Sequence, residues 1–231
     1  MKKLVKRCFL FAFKVLLFLF LLSLTWVVLY RFVDPPISGM MVYKSITESD
    51  YSYEKQWQDI EEIDASLPLA FISAEDQLFL KHNGFDVEAI KDAIEHNKDA
   101  KRKRGASTIS QQLAKNLFLF PTRSLFRKGL EAYYTFLVET LWPKKRIMEV
   151  YLNVVELGKG VYGVEEACIR YFGVSSKKVS RSQAALVGTV LPNPLVFRIN
   201  KPTAYMQRRQ AWILRQMDNL GGEGILKEWY E

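Results

Sequence analysis

The chain has 231 residues, enough for one ordinary domain and an appendage, and 49% of them are hydrophobic. Its formal net charge of +8 favours anionic partners such as phosphates, nucleic acid or an acidic membrane surface. The only two cysteines, Cys8 and Cys168, argue against a disulfide framework, and two histidines without a cysteine cluster argue against a structural zinc site.

The N-terminal segment predicts a membrane anchor. Residues 1–7 carry several cations and residues 8–30 are almost wholly apolar, a stretch long enough to cross a hydrocarbon core of about 30 Å. A cleaved signal peptide has a shorter apolar core and ends at a small-residue site, which residues 30–36 do not offer. The positive charge before the span predicts that residues 1–7 are a cytoplasmic tail and that the rest of the chain lies outside.

A linker and a helical domain are expected after the span. Residues 31–54 include a proline pair and are predicted to form the linker. Residues 40–65 give no firm signal, so we expect irregular structure or a short strand near Met40–Tyr43. From residue 66 the apolar pattern is helical nearly to the end, so residues 55–231 are predicted to form a mainly α domain.

The stretch from Glu75 to Asp86 is the centre of the predicted site. Ser66 and Asn83-Gly84 predict the start and the end of a helix, which places Glu75 among apolar neighbours three or four residues away. Burying a bare charge there costs on the order of several kcal/mol unless partners or solvent reach it. Two readings stay open: a rim glutamate that extends to water, or a cleft carboxylate whose raised pKa suits a general base.

A second stretch, residues 105–116, predicts a capped helix. Thr108 and Gln111 match a capping box, and the Gly-Ala-Ser-Thr turn before the helix presents free backbone N–H groups that suit an anion. A well-capped amphipathic helix without a ligand is the structural alternative. The basic run at 101–104 is interpreted as a solvated loop, because nucleic-acid binding makes no sense outside a membrane.

An apolar run and a charged cluster follow. Residues 117–120 are large and apolar, which fits either the core or a lipid-contacting element. Arg127 and Glu131 lie four apart on the next predicted helix, with Arg123 and Lys128 close in sequence. This set is either an ordinary surface ion pair or a clamp for a diphosphate, with or without a metal ion.

The remaining segments are interpreted as structural. A helix begins at Pro143, and the glycines at 158–163 predict a tight connection between helices rather than a dinucleotide-binding loop, because a helix and not a strand precedes them. Residues 180–191 and 203–219 predict two further packing helices, the second of which adds two arginines to the cationic surface.

Five stretches together resemble the motifs of the peptidoglycan glycosyltransferases, glycosyltransferase family 51. In chain order they are residues 75–86, 105–116, 127–131, 145–167 and 184–194. Ala106 and Ser110 replace residues that are more often Gly and Thr in the family, and neither change removes a reacting group. The family includes stand-alone enzymes and the N-terminal halves of class A penicillin-binding proteins. With 231 residues we expect no transpeptidase domain, so the resemblance is to the stand-alone members.

The resemblance implies a lysozyme-like helical fold and polymerisation of lipid II. In the family, the sugar 4-hydroxyl of lipid II attacks the anomeric carbon of the lipid-linked growing chain, the bond inverts and undecaprenyl diphosphate leaves. By the same resemblance Glu75 is the general base, and Asp76 braces its loop. Glu131 is the second catalytic carboxylate, which orients cations or holds a divalent ion, magnesium or manganese, at the diphosphate; no tightly bound cofactor is implied. Substrate and diphosphate contacts are implied for Ser107, Gln111, Gln112, Lys115, Asn116, Arg123, Arg127 and Lys128.

Two alternatives come from other functional classes. A lysozyme-like hydrolase or lytic transglycosylase uses one glutamate as an acid and has no reason for a diphosphate clamp. A non-catalytic membrane scaffold would tolerate the loss of Glu75. The expected partners are lipid II, the growing glycan and the membrane, with cell-division or elongation proteins left open and no nucleic acid. The expected location is a bacterial cytoplasmic (inner) membrane, with the catalytic domain on the periplasmic side.

Overall fold

The structure is a computed structural model that describes residues 2–100, 105–122 and 124–231. It divides into two compact units, Met1–Pro35 and Pro36–Glu231. The predicted basic loop at 101–104 and the predicted diphosphate ligand Arg123 lie outside the described residues.

The first unit is built on helix α1, Lys2–Phe32. The helix is long and apolar enough to cross a membrane, with a mean hydropathy of 2.4 over its most apolar window. Its leucines and phenylalanines are largely exposed, which suits contact with lipid. The predicted span of residues 8–30 lies within α1, and the helix also takes in most of the predicted tail. α1 is therefore a candidate membrane anchor.

The second unit is mainly α, as predicted. Its helices are α2 (Gly39–Thr47), α3 (Ser66–Glu75), α4 (Val87–Asp99), α5 (Ile109–Phe118), α6 (Leu125–Leu141), α7 (Lys144–Val154), α8 (Val164–Phe172), α9 (Arg181–Gly188) and α10 (Ala204–Asn219). Its short strands are β1 (Glu54–Lys55), β2 (Glu156–Gly158) and β3 (Val161–Tyr162). Helix α5 packs against α2, α6 and α7, whereas α3 packs against α9 and α10. The site described below lies where these two groups of helices meet.

The segment predicted to be irregular or a short strand near Met40–Tyr43 is helix α2. The Ser38 hydroxyl caps this helix by accepting a hydrogen bond from the backbone N–H of Met41 at 3.3 Å. Lys44 donates to both carboxylate oxygens of Glu156 at 2.7 Å. This long-range ion pair and the packing on α5 hold α2 within the compact unit Pro36–Glu231. The local sequence pattern does not predict this helix, because its ion-pair partner lies more than a hundred residues away.

The glycine-rich segment at 158–163 forms the β2–β3 hairpin, where a tight connection was predicted. The strands pair in the order β1–β3–β2, with β1 parallel and β2 antiparallel to β3. Gly160 has a φ of +71°, and a Cβ atom there would lie 2.4 Å from the carbonyl oxygen of Ser52. Only glycine fits this turn, which brings the chain before β1 against the hairpin.

Candidate active site

Glu75 is the last residue of α3, and its carboxylate lies between α5 and α10. Gln112 Nε2 donates to Glu75 Oε2 at 3.0 Å, and Arg209 Nη2 donates to Glu75 Oε1 at 3.2 Å. Burial raises the pKa of Glu75 above its ordinary value of 4.5, and Gln112, Arg209 and Lys115 act against that rise because they stabilise the charged form. Of the two open readings, the geometry matches the cleft carboxylate.

Helix α3 ends at Glu75, not at Asn83-Gly84 as the sequence pattern predicted. Asp76 leaves the helical conformation, with φ −157° and ψ 75°, and its carboxylate reaches two other segments. Oδ1 lies 2.8 Å from His82 Nε2, and Oδ2 accepts from the backbone N–H of Ile109 at 3.0 Å. The carboxylate therefore caps the start of α5 and braces the segment after Glu75, as expected for Asp76.

A cleft of about 860 Å³ opens beside Glu75. Its walls include residues 73–78, residues 105–108, Gln112, and Arg209 with Trp212 from α10. The cleft thus brings together the predicted residues Glu75, Ser107 and Gln112. A site of this size accommodates a sugar unit rather than a single small ion.

A second cluster lies at the start of α6. Glu131 is 2% exposed, its Oε2 accepts from Arg127 Nη1 at 2.7 Å, and its Oε1 accepts from Lys128 Nζ. On α5, burial lowers the pKa of Lys115, with Glu131 and Glu75 acting against that effect and Arg127 and Lys128 adding to it. Lys115 is therefore within electrostatic reach of both carboxylates, Glu75 and Glu131.

The predicted divalent ion at Glu131, which would be shared with a substrate diphosphate, stays a prediction. Both carboxylate oxygens already accept hydrogen bonds from cationic side chains. Within the described ranges, no group of three His, Cys, Asp or Glu side chains is placed to hold a metal ion. Glu131 pairs with both cations, as its predicted orienting role requires, and its predicted role at a metal ion is left open.

Two further predicted ligands lie on α5 but are placed differently from Gln112. The Gln111 side chain closes the capping box, since its Oε1 accepts from the backbone N–H of Thr108 at 3.0 Å. The Gln111 side chain is buried, and in this structure it stabilises the start of the helix. Asn116 is half-buried near the end of α5, next to Lys115. The predicted capping box is confirmed.

The apolar run 117–120 divides its residues between the core and the surface. Leu117 and Leu119 are buried, and the Phe118 ring stacks on Tyr134 with 4.7 Å between centroids. Phe120 is 52% exposed. The core reading therefore holds for Leu117 and Leu119, and lipid contact by the exposed Phe120 stays a prediction.

Sequence reasoning missed the contribution of α10 to the site. Arg209 also donates to the carbonyl oxygen of Ala74 at 3.3 Å, and its guanidinium carbon lies 6.0 Å from the centre of the Trp212 ring. The one available signal was an arginine one helical turn before a tryptophan on an otherwise ordinary amphipathic helix. That signal is weak, because such pairs are common on surface helices.

Comparisons with known proteins agree with this arrangement. The family model described as transglycosylase matches residues 42–218. Proteins named biosynthetic peptidoglycan transglycosylase are similar to the chain: one from Shewanella oneidensis is 48% identical over 94% of both chains. One from Bdellovibrio bacteriovorus is 51% identical over 88% of this chain and 83% of its own, and one from Pseudomonas fluorescens is 49% identical over 89% and 88%.

The matched region contains the helices that build the site. It includes α3, α5, α6 and α10, and it has the lysozyme-like helical fold that the motifs implied. The resemblance seen in five separate stretches is thereby confirmed across the domain. The chain belongs to the transglycosylase family and is a glycosyltransferase.

Proposed function

We propose that the chain polymerises the glycan strands of peptidoglycan. It transfers the lipid-linked growing chain to the sugar 4-hydroxyl of lipid II, with inversion at the anomeric carbon and release of undecaprenyl diphosphate. The names of the relatives support peptidoglycan as the material, since the chain aligns with most of their length. The observation that carries the proposal is a desolvated carboxylate, Glu75, that shares an electrostatic neighbour, Lys115, with a cluster of cations paired with the buried carboxylate Glu131.

Each half of the reaction needs one of these features. A sugar hydroxyl is a weak nucleophile, so Glu75 accepts its proton as the new O4–C1 bond forms. The C1–O bond to the diphosphate breaks, and the diphosphate leaves with the electron pair. The leaving diphosphate needs its negative charge neutralised rather than a proton. Lys115, Arg127 and Lys128 supply the positive charge, and Glu131 fixes their positions.

The cation cluster distinguishes this proposal from a cell-wall hydrolase. A glutamate with a raised pKa serves equally well as the acid of a lysozyme-like enzyme, so Glu75 alone does not discriminate. Hydrolysis of a glycosidic bond leaves a neutral alcohol, which has no use for several cations around a buried carboxylate. The arrangement at the start of α6 therefore favours a phosphorylated leaving group.

The membrane setting follows from the same substrate. A donor with a polyprenyl chain stays in the bilayer, so a candidate anchor such as α1 keeps the domain beside it. In this proposal the N-terminus is cytoplasmic and the domain works on the outer, periplasmic face of a bacterial inner membrane. Lipid II and the growing glycan are the substrates, and cell-division or elongation proteins are candidate partners.

The test is a polymerisation assay with the purified full-length chain in detergent and labelled lipid II. The expected result is a ladder of glycan products on a gel that lysozyme then digests. Soluble fragments from isolated cell wall, without any product from lipid II, would assign the protein to the hydrolases instead. A protein that does neither would be a scaffold.

The pH dependence of polymerisation is expected to reflect the pKa of Glu75. Because burial raises its pKa, the carboxylate becomes protonated, and therefore inactive as a base, at a higher pH than an exposed glutamate would. The rate should fall on the acidic side with a midpoint clearly above 4.5, measured as kcat/KM for lipid II from pH 4 to 8. A midpoint at or below that value would contradict Glu75 as the base.

Replacing Arg127 with alanine is expected to slow polymerisation by about 100-fold, because a charge-assisted contact to the diphosphate is lost. Arg181→Ala is the matched control, since Arg181 also pairs with a carboxylate at 2.7 Å, that of Asp218, away from the cleft. Steady-state rates with lipid II for both variants make the comparison. Equal rates in Arg127→Ala and wild type would remove Arg127 from the diphosphate site.

A further inference from the structure

Tyr151 on α7 lies directly behind the candidate base. Its side chain is completely buried, and its ring meets that of Phe71 on α3 edge to face, with 6.0 Å between centroids and 82° between planes. Its hydroxyl donates a hydrogen bond to Gln112 Oε1 at 2.9 Å. A buried tyrosine hydroxyl needs such a partner, and here the partner is the residue that contacts Glu75.

The Gln112 amide is held in one orientation by this contact. A glutamine side chain can present either its oxygen or its NH₂ group to a neighbour, and the two ends differ only by a rotation of the amide. Because the Tyr151 hydroxyl donates to Oε1, the NH₂ group points at Glu75 Oε2, 3.0 Å away. The reverse orientation would set the amide oxygen against a carboxylate oxygen, which is repulsive while Glu75 is ionised.

The tyrosine remains a donor at every working pH. Burial, together with the nearby carboxylates of Glu75 and Asp76, raises the pKa of Tyr151 well above its ordinary value, so its proton is retained. Tyr151, Gln112 and Glu75 thus form a chain of directed hydrogen bonds that ends on the ionised carboxylate. Arg209 holds the other carboxylate oxygen.

We infer that Tyr151 is a positioning residue for Glu75 and acts through Gln112. It favours the ionised form of Glu75 and fixes the direction in which the carboxylate faces the cleft. The catalytic consequence rests on the proposed function, in which Glu75 is the base. The electrostatic consequence, a change in the titration of Glu75, does not depend on that function.

The test compares Tyr151→Phe with Tyr162→Phe. Both tyrosines are fully buried, and each hydroxyl has a hydrogen-bond partner. The partner of Tyr162 is the Tyr51 hydroxyl, 2.7 Å away, in the sheet region rather than at the site. Carbon-13 chemical shifts of the Glu75 carboxyl are followed against pH in both variants of the full chain in detergent. Tyr151→Phe should raise the pKa of Glu75 by roughly one unit, since a directed hydrogen bond to the charged form is weakened, and Tyr162→Phe should leave it unchanged.

The rates then separate positioning from general destabilisation. With lipid II, Tyr151→Phe should lower kcat roughly tenfold with little change in KM and move the acidic limb upward, whereas Tyr162→Phe should do neither. A Glu75 titration in Tyr151→Phe that matches wild type would overturn the inference. If that variant does not fold, Gln112→Met gives the same readout, because it removes the donor itself; an unshifted Glu75 titration there would also overturn it. If the pKa of Glu75 shifts in Tyr151→Phe but the wild-type protein makes no glycan, the hydrogen-bond chain from Tyr151 to Glu75 stands and the proposed function is rejected.

Discussion

Glu75→Gln is expected to lower the polymerisation rate by about 10²- to 10⁴-fold, the range that general-base catalysis supplies. Glutamine keeps the size of the side chain, but its single amide oxygen can accept from only one of the two donors, Gln112 and Arg209. It cannot accept the proton of the attacking hydroxyl. The measurement is the initial rate with labelled lipid II, next to the exposed control Glu228→Gln. Retention of most of the activity would rule out Glu75 as the base.

The same variant carries a prediction about stability. Because the folded-state pKa of Glu75 is raised, folding favours the protonated form, and this contribution is fully present below the unfolded carboxyl pKa and is lost as the pH rises through the folded pKa. Glutamine resembles the protonated form at every pH. Glu75→Gln should therefore match the wild-type Tm in acid and exceed it near neutrality. A lower Tm at neutral pH would mean that the attraction between ionised Glu75 and Arg209 stabilises the fold by more than burial of the charge costs.

Lys115→Met is expected to lower the rate by about 10²- to 10³-fold without loss of stability. Both carboxylates, Glu75 and Glu131, act electrostatically on this lysine, and burial lowers its pKa, which means that the fold disfavours its charge. Methionine fills a similar space without the charge, so the Tm at pH 7 should stay level or rise. Polymerisation rates with lipid II test the expected loss of activity, and thermal unfolding in detergent tests the expected stability.

The exposed Lys178 provides the control for that experiment. Lys178→Met removes the same charge from the chain and should leave the rate unchanged. A large fall in Tm for Lys115→Met would show that the lysine is mainly structural. A rate loss that is equal in both variants would point to net charge and membrane attraction rather than to the site.

The sequence sufficed for features set by neighbours a few residues apart. The capping box of Thr108 and Gln111, the pair of Arg127 and Glu131 and the long apolar helix all depend on local spacing, so the pattern predicts them directly. Glu75 was also recognisable, because a carboxylate between apolar helix positions is costly unless it has partners. Which of its two readings holds depends on Gln112 and Arg209, which come from other helices.

Features set by distant residues could not be predicted in this way. Helix α3 stops at Glu75 because the Asp76 carboxylate is drawn to the backbone of Ile109, 33 positions away. Arg209 read as one more surface cation, since nothing near it in sequence indicates its contact with Glu75. Tyr151 lies on a helix that the pattern identifies only as structural, because its hydroxyl partner lies on another helix.

The long separation between the partners of Glu75 bears on when the enzyme becomes competent. Arg209 stands 134 positions after Glu75, so the ribosome must make nearly the whole domain before the carboxylate can meet its cation. Chains fold broadly from the N-terminus as they are made, and contacts between distant segments form late. During synthesis, Glu75 is therefore present for some time before its hydrogen-bond partner Arg209 has been made. On the proposed function, a nascent chain would therefore lack the contact between Glu75 and Arg209 until α10 docks.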